Sequence, residues 1–242
     1  MTSLKPETNA AFDSYVHRVE SELDDRAQGK RSFLWLDDHP ANKASVRGGE
    51  LVIQSLSGES GVSINDGLIH DWIGAVFLPG ATNEKALAVL KNFNRHKNIY
   101  SEVIDSRTVS SSGSVVHGFW RLRKKKVITV VLDVNQTAHY REVKPGAWQI
   151  RAATDSISEV ENPDAKDEKR LPPGEGHGYL WRLNAYWSLL QTDQGVFAEC
   201  RTLSLSRPIP ALLSWAVKPF VQSMPRESLR STLEGTRQAV MR

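Results

Sequence analysis

The segment Trp181–Trp187 carries the side chains best suited to holding a ligand. If the segment is a strand, Arg182, Asn184 and Tyr186 share one face, because successive side chains of a strand point to opposite sides. A guanidinium, an amide and a phenol among apolar walls would anchor the polar end of an amphipathic molecule. If that face points outward instead, Arg182 is a sheet-surface side chain that pairs with an acid across a strand. Glu199 and Arg201 on the next strand are candidate partners, because desolvating Arg182 without a counter-charge would cost several kcal/mol.

A second group of candidate binding residues lies on the predicted strand from Gly67 to Leu78. His70 and Trp72 fall on the same face of this strand, together with apolar neighbours. Two interpretations of Trp72 are open, because a tryptophan in such a strand either lines a ligand site or forms part of the ordinary core. We include His70 and Trp72 among the predicted ligand-binding residues.

Established catalytic and metal-binding motifs are missing from the sequence. The glycine-rich stretch Gly174–Gly178 precedes a predicted strand, whereas a dinucleotide fingerprint follows a strand and opens a helix. The seven histidines are scattered, and Cys200 stands alone in a predicted strand, where a buried structural thiol is expected. We therefore predict no catalytic residue, no metal site and no cofactor.

The basic run Arg121–Lys126 is the sharpest charge feature of the chain. At a predicted turn between two strands it is typical of a solvated hairpin tip that discourages edge-to-edge pairing. Contact with an anionic membrane is the first alternative. Nucleic acid is not a predicted partner, because a recognition helix, a zinc finger and an aromatic RNA-binding motif are all missing beside the run.

Composition places the chain among ordinary globular proteins. Of 242 residues 40% are hydrophobic and 24% are charged, with a net charge of +3, so a core can form without disulfides. The longest apolar stretches, Val127–Val134 and Ile209–Val217, are too short to span a bilayer. Met1–Asn9 lacks the pattern of a signal peptide, which predicts a cytoplasmic protein, or an exported one if a leader has been trimmed.

Hydrophobic periodicity divides the chain into two parts. Residues 1–47 are predicted to form a helical appendage, with a helix from about Glu7 to Gln28 followed by an irregular connection. Residues 48–242 form the predicted main domain. In this part of the chain apolar residues tend to recur at every second position, which is the pattern of a strand. Its predicted strands are Leu51–Ser57, Gly67–Leu78, Val103–Ser110, Val115–Arg123, Lys126–Tyr140, Trp148–Val160, Tyr179–Leu190 and Val196–Leu205, with a helix after Thr82 and a mobile surface loop over Asn162–His177.

The order of these elements predicts an α+β fold. Short connections between the strands favour antiparallel pairing, and the helices gather at the ends of the strand run. The helical tail after Pro208, bent at Pro219 and Pro225, is the element long enough to cover the sheet, with Leu212, Trp215 and Phe220 facing it. A curved sheet wrapped around a helix rarely fills completely, so an internal pocket is expected.

Four stretches resemble bacterial START-like proteins of the helix-grip, or SRPBCC, superfamily. They are the stretch from Asp66 to Gly80, the stretch from Asn92 to Tyr100, the stretch from Tyr179 to Trp187 and the stretch from Leu205 to Pro210. The resemblance covers roughly Gly49 to Val240. It implies a helix-grip fold, a curved antiparallel sheet around a long carboxy-terminal helix, and a habit of enclosing apolar ligands. It carries over no reaction, because members share a cavity and not a set of catalytic residues.

Three functional hypotheses follow from the residues and the resemblance. The first is binding, with transport as an extension, of a lipid or other hydrophobic or amphipathic small molecule. The second is a cyclase-, aromatase- or hydrolase-like enzyme that uses the same cavity, with His70 or Tyr186 as general acid or base. The third is an interaction protein that docks to a partner or a membrane surface through the amino-terminal helix and Trp35.

Overall fold

A computed structural model describes residues 1–125, 128–208 and 214–242, with the side chains of residues 214–222 left undescribed. Five α-helices and a 3-10 turn, Trp35–Asp38, occur in these ranges. The helices are α1 (Pro6–Ala27), α2 (Pro40–Arg47), α3 (Asn83–Lys91), α4 (Phe93–His96) and α5 (Ser214–Val240). Among the described residues no helix combines the length and the apolar character needed to cross a membrane.

The strands alternate with short connections, as the sequence predicts. In the described part of the chain they are β1 (Thr2–Ser3), β2 (Val52–Ser55), β3 (Val62–Ile64), β4 (Gly67–Pro79), β5 (Val103–Ser112), β6 (Val115–Lys125), β7 (Thr129–Lys144), β8 (Ala147–Glu161), β9 (Lys169–Arg170), β10 (Glu175–Gly176), β11 (Arg182–Thr192) and β12 (Gly195–Ser206). The predicted bounds of the long strands differ from these by a few residues at most.

The described strands build one large antiparallel sheet. Ten strands belong to it, in the order β2-β4-β12-β11-β8-β7-β6-β5, with β3 added to β4 and β9 added to β8. The two remaining short strands, β1 and β10, pair with each other. The α+β class expected from the sequence is confirmed.

Helix α5 packs on one face of this sheet, which we call the inner face. Leu229 and Leu233 of α5 are buried, and Leu233 lies so close to Gly74 of β4 that a side-chain carbon there would overlap with it. Glycine at position 74 therefore permits the close approach of helix to strand. The predicted packing side chains Trp215 and Phe220, and the residue Leu212, lie outside the described residues and side chains.

The amino-terminal segment covers the opposite, outer face of the sheet. Apolar side chains of α1, spaced three or four residues apart from Phe12 to Leu23, pack against Ile69, Leu203 and Leu205. The 3-10 turn and α2 fill a neighbouring cluster against β4 and β12, in which Phe197 is buried. Residues 1–47 thus share two hydrophobic cores with the sheet. The domain boundary at residue 47 stays a prediction.

Two local predictions need correction. Asn162–His177, expected to be a mobile surface loop, contains β9 and β10, which pair with β8 and β1. The connection after the first helix, expected to be irregular, contains α2, which begins at Pro40 because a proline fits the first helical position. Helix α5 is continuous from Ser214 to Val240, and the bend at Pro219 and Pro225 stays a prediction.

Candidate ligand-binding site

A cavity of about 230 Å³ lies between the inner face of the sheet, α4 and α5. Residues of β4 and of β6, which are far apart in the strand order, line the same space, so the sheet curves around it. Most of the lining side chains are apolar. They include Leu90, Phe93, Val103, Trp120, Leu122, Val130, Leu132, Ile150, Leu180, Leu183, Trp187, Met224 and Leu229.

Small side chains on adjacent strands make room for the cavity. The strand register places Thr202, Ala185, Ala152 and Ala138 side by side in one row across β12, β11, β8 and β7. All four residues line the cavity. A row of larger side chains at these positions would fill the space between sheet and helix, so the sequence of this row determines that a hollow exists.

The adjacent row of residues on the inner face carries mostly polar side chains. The register aligns His70, Ser204 and Leu183 across β4, β12 and β11, and Thr154 with Gln136 across β8 and β7. The N–H group of Leu183 donates to the hydroxyl of Thr154 at 3.1 Å and so joins the two halves of the row. All but Thr154 line the cavity, as does Ser206 on the neighbouring row.

Three side chains of this region carry buried polar atoms that have no partner among the described residues. His70 is 2% exposed and Gln136 is 5% exposed. Among the described residues, neither imidazole nitrogen of His70 has a hydrogen-bond partner, and the same holds for Nε2 of Gln136 and Oγ of Ser206. Because buried polar groups in folded proteins are normally hydrogen-bonded, such a cluster facing a cavity is typical of a site that binds a polar group of a ligand.

Burial keeps His70 neutral. It lowers the pKa of the imidazole, because a charged ring is poorly solvated there. The neutral ring has one N–H donor and one nitrogen acceptor, so it can bind a group that both donates and accepts a hydrogen bond.

Other polar groups around the cavity are already satisfied. Nε2 of His96 lies 3.0 Å from the carbonyl oxygen of Val89, and Nδ1 accepts a hydrogen bond of 3.0 Å from the indole of Trp120. This pair of contacts places the proton on Nε2. Burial lowers the pKa of His96 to about 4, so the ring remains neutral at pH 7. The hydroxyl of Tyr140 donates to the carbonyl of Leu90 at 2.9 Å. These residues form the wall and are not free to bind.

A charged cluster lies at the rim of the cavity. The ammonium group of Lys124 donates to Glu102 at 2.7 Å and lies 2.8 Å from the hydroxyl of Ser228 on α5. The Ser228 hydroxyl donates to the other carboxylate oxygen of Glu102 at 2.9 Å. The cluster therefore connects α5 to the sheet, and the charges of Lys124 and Glu102 compensate each other.

The buried carboxylate of Glu159 holds the segment that closes the cavity beside β11. It accepts hydrogen bonds from three consecutive backbone N–H groups, those of His177, Gly178 and Tyr179, at 2.7, 2.8 and 3.0 Å. Tyr179 and Leu180 line the cavity directly after this anchor. Glu159 thereby fixes the position of a wall that regular secondary structure does not supply.

Arg182, Asn184 and Tyr186, predicted to bind the ligand, lie on the outer face. Arg182 donates to Asn9 of α1 at 2.5 Å, and the hydroxyl of Tyr186 donates to Glu20 of α1 at 3.0 Å while accepting from Asn184 at 2.9 Å. The alternation along β11 instead turns Leu183, Ala185 and Trp187 inward. The expectation that the three polar side chains face the cavity is therefore corrected, and the outward alternative describes their location.

Of the second predicted pair of ligand-binding residues, His70 and Trp72, only one lies at the cavity. His70 lines the cavity, whereas Trp72 is 1% exposed within the core cluster and is not among the lining residues. Glu199, the candidate partner of Arg182, accepts hydrogen bonds from the backbone N–H groups of Trp35 and Leu36 instead. Cys200 is buried, as predicted, and lines the cavity.

Sequence analysis missed Gln136, which is buried beside the cavity. Its signal was present in β7, where Gln136 interrupts an inward run of apolar residues formed by Val134, Ala138 and Tyr140. A polar residue on an otherwise buried strand face is informative for that reason. The strand alone could not show that the face encloses a cavity.

Residue clusters that could hold a metal ion are missing from the described ranges, where no three histidine, cysteine, aspartate or glutamate side chains come together. In the basic run, Arg121 donates to both oxygens of Asp133 at 2.7 and 3.0 Å, and Arg123 donates to Asp164. Part of the run therefore forms ion pairs within the protein. Lys126 lies outside the described residues.

Comparison with known proteins gives structural similarity only. No protein-family model matches the chain, and no curated protein matches it by sequence. Among solved structures, the di-domain ARO/CYC protein BexL from the BE-7585A biosynthetic pathway aligns with a TM-score of 0.50 at 9% identity, over 72% of this chain and 50% of that chain.

Two further structures align at slightly lower scores. A STAR-related lipid transfer protein from Xanthomonas axonopodis has a TM-score of 0.49 at 18% identity, over 79% of this chain and 99% of that fragment. The protein TTHA0849 from Thermus thermophilus has a TM-score of 0.49 at 17% identity, over 70% of this chain and 95% of that chain.

These findings define the class of the protein by its fold. The chain is an α+β protein with a large antiparallel sheet, a carboxy-terminal helix on its inner face and a cavity between them. This arrangement of sheet and carboxy-terminal helix is the helix-grip architecture that the sequence predicts, and its fold is similar to that of BexL. The identities are too low to transfer a ligand or a reaction.

Proposed function

We propose that the protein binds a small, mainly apolar molecule in the cavity between the sheet and α5. The observation that carries the proposal is a set of buried polar atoms without partners, on His70, Gln136 and Ser206, that face an otherwise apolar space. Leaving such atoms unpaired costs about 1–3 kcal/mol for each group, and a bound polar group would recover this energy. Transport of the ligand would be an extension of this function.

The cavity supports binding better than catalysis. An enzyme of the cyclase or hydrolase kind needs a general acid or base within reach of a substrate and usually a partner that orients it. Among the described residues His70 has no such partner, both ring nitrogens of His96 are occupied, and Lys124 is neutralised by Glu102. Fold similarity to an ARO/CYC protein is the support for the enzymatic alternative.

Contact with an anionic membrane is a separate proposal about where the ligand is exchanged. The β6–β7 tip carries Lys125 and Ile128, which is 43% exposed, and the neighbouring Lys124 and Val130 line the cavity. A basic and apolar tip beside a cavity rim suits an anionic surface. Binding to vesicles with and without anionic lipid, at low and high salt, would test this proposal.

Native mass spectrometry with a panel of lipids and small apolar compounds tests the binding function. We expect one-to-one complexes with the protein as purified or after incubation. Ala152→Leu should abolish them, because the larger side chain enters the cavity from the central row. Ala153→Leu, on the opposite face of the same strand, is the matched control and should bind normally. Equal binding by both variants, or none by the unmodified protein across the panel, would overturn the proposal.

A further inference from the structure

Few charged residues line the cavity. Among the described lining residues they are Glu102, Arg123 and Lys124, apart from the titratable histidines. Lys124 pairs with Glu102, and Arg123 pairs with Asp164, although Nε of Arg123 is buried without a hydrogen-bond partner among the described residues. Each of the two cations therefore has a carboxylate partner before a ligand binds.

The interior polar groups are neutral. The pKa of His70 is lowered by burial, so its ring carries no charge at pH 7. The amide of Gln136 and the hydroxyls of Ser204 and Ser206 do not ionise. Hydrogen-bond donors and acceptors are thus present in the interior without a countercharge for an ion.

This arrangement discriminates between classes of polar group. Burying a carboxylate or phosphate away from water, without an opposite charge, costs several kcal/mol even after relaxation. A hydroxyl or a carbonyl needs one or two hydrogen bonds, which the unpartnered nitrogens of His70 and Gln136 can supply. The interior therefore favours neutral oxygen-bearing groups over ionic ones.

The volume of the cavity restricts the size of the ligand. At about 230 Å³ it is smaller than the roughly 300–1,000 Å³ of typical pockets for drug-sized ligands. A compact molecule with one or two rings, or a single short chain, is compatible with this space.

Resting on the ligand-binding function above, we propose that the ligand class is a compact neutral molecule whose hydroxyl or carbonyl groups bind His70 and Gln136. Ionic lipids such as fatty acids and phospholipids are then excluded from the interior. His70 and Gln136 determine this specificity, because they are the buried lining residues of the polar row whose nitrogens have no partner among the described residues.

A pair of probes that differ in charge tests the proposal. We would measure the affinity of the full chain for 1-naphthol and for 1-naphthoate by titration calorimetry at pH 7, where the first is neutral and the second is an anion. The neutral probe should bind at least about tenfold more tightly, since a difference of about 1.4 kcal/mol corresponds to that factor.

Variants connect the preference to the two residues. His70 and Gln136 lie on β4 and β7 with three strands between them, so the single hydroxyl of 1-naphthol binds at least one of the two residues. At least one of the variants Gln136→Leu and His70→Phe should therefore weaken binding about 5- to 10-fold, because a hydrogen bond is lost. Gln54→Leu and His139→Phe change the same residue types at exposed positions outside the cavity, and both should bind like the unmodified protein. Should His70→Phe fail to fold, His70→Leu takes its place.

The outcomes separate this inference from the function on which it rests. Equal or tighter binding of 1-naphthoate, or unchanged affinity in both Gln136→Leu and the His70 variant, would overturn the inference while the binding function stands. Absence of binding by both probes and by every compound of the lipid panel would overturn the binding function itself.

Discussion

At the scale of single residues, the two faces of the sheet treat polar side chains differently. On the outer face they form paired networks, such as Asp71 with Arg201 and Arg182 with Asp13. On the inner face the two nitrogens of His70 and Nε2 of Gln136 have no partner among the described residues and face a cavity. Unpartnered atoms occur on the outer face as well, at Oδ1 of Asn184, but that residue does not line the cavity. The proposed site thus depends on unpartnered atoms and a cavity occurring together.

The ion pair between Asp71 and Arg201 is buried on the outer face of the sheet, so the loss of one partner should be costly. Asp71 is 0% exposed, accepts from Arg201 at 2.9 and 2.7 Å and accepts from the hydroxyl of Tyr15 at 2.9 Å. We expect Asp71→Asn to lower the free energy of unfolding by about 3–5 kcal/mol, because Arg201 is left without its main counter-charge. Denaturant titration measures this loss.

Asp66→Asn is the matched control for this substitution. Asp66 pairs with Lys5 on the surface, with its side chain 50% exposed, so its loss should cost no more than about 1 kcal/mol. Equal effects of the two substitutions would show that the buried pair adds nothing beyond a surface pair.

Arg182 provides a test of the outer-face assignment. Its contacts are to Asn9 and Asp13 of α1, so Arg182→Ala should leave the affinity for a cavity ligand unchanged. Binding of a neutral apolar dye to the variant and to the unmodified protein provides the measurement. A loss of more than about fivefold in the variant, without a loss of stability, would contradict the assignment.

At the scale of elements, α5 forms one wall of the cavity and is held to the sheet by a buried apolar contact. Leu233, 0% exposed, lies on Gly74 of β4. We expect Leu233→Ala to cost about 2–5 kcal/mol, which thermal or denaturant unfolding would measure. Met241→Ala, at an exposed position after the helix, should change stability by less than about 0.5 kcal/mol. A small effect of the first substitution would mean that α5 is not held by this contact.

The 3-10 turn is attached to the sheet through Glu199. Burial raises the pKa of this carboxyl from 4.5 to about 7, although the N–H groups of Trp35 and Leu36 favour its charged form. The folded protein thus binds the proton more tightly than the unfolded chain does. The stabilisation from this proton is complete below about pH 4.5 and is lost as the pH rises through about 7.

Glu199→Gln removes this titration. The difference in free energy of unfolding between the unmodified protein and the variant should therefore fall by an amount on the order of 3 kcal/mol between pH 4.5 and pH 7.5. Denaturant titrations across this range, on both proteins in the same buffers, give the difference. A difference that stays constant with pH would contradict the raised pKa.

At the scale of the whole molecule, the amino-terminal segment belongs to the hydrophobic core of the fold. Its side chains cover Ile69, Phe77 and Phe197 of the sheet, which would otherwise face water. We expect a fragment of residues 48–242 to be poorly soluble or to unfold at much lower denaturant than the full chain. A fragment that keeps the stability of the full chain would support the predicted boundary at residue 47.

The fold was predictable because its signals are local. Alternating apolar residues marked the strands, and the short turns between them required antiparallel neighbours. The site was less predictable, because the pattern of β11 defines two faces without showing which one is covered by α1. Trp181, Leu183 and Trp187 alternate with Arg182 and Tyr186 in either case. Which face of β11 is covered by α1 depends on contacts between residues more than 160 positions apart, such as Tyr186 with Glu20.

The position of Cys200 makes the opening of the cavity measurable. The sequence has one cysteine, and its thiol is buried at the cavity wall with a raised pKa, because burial disfavours the thiolate. A thiol reagent reaches it only when the structure opens, so the rate of its labelling reports how often molecules can enter. An occupant of the cavity would slow this labelling, which yields an assay of occupancy that requires no knowledge of the natural ligand.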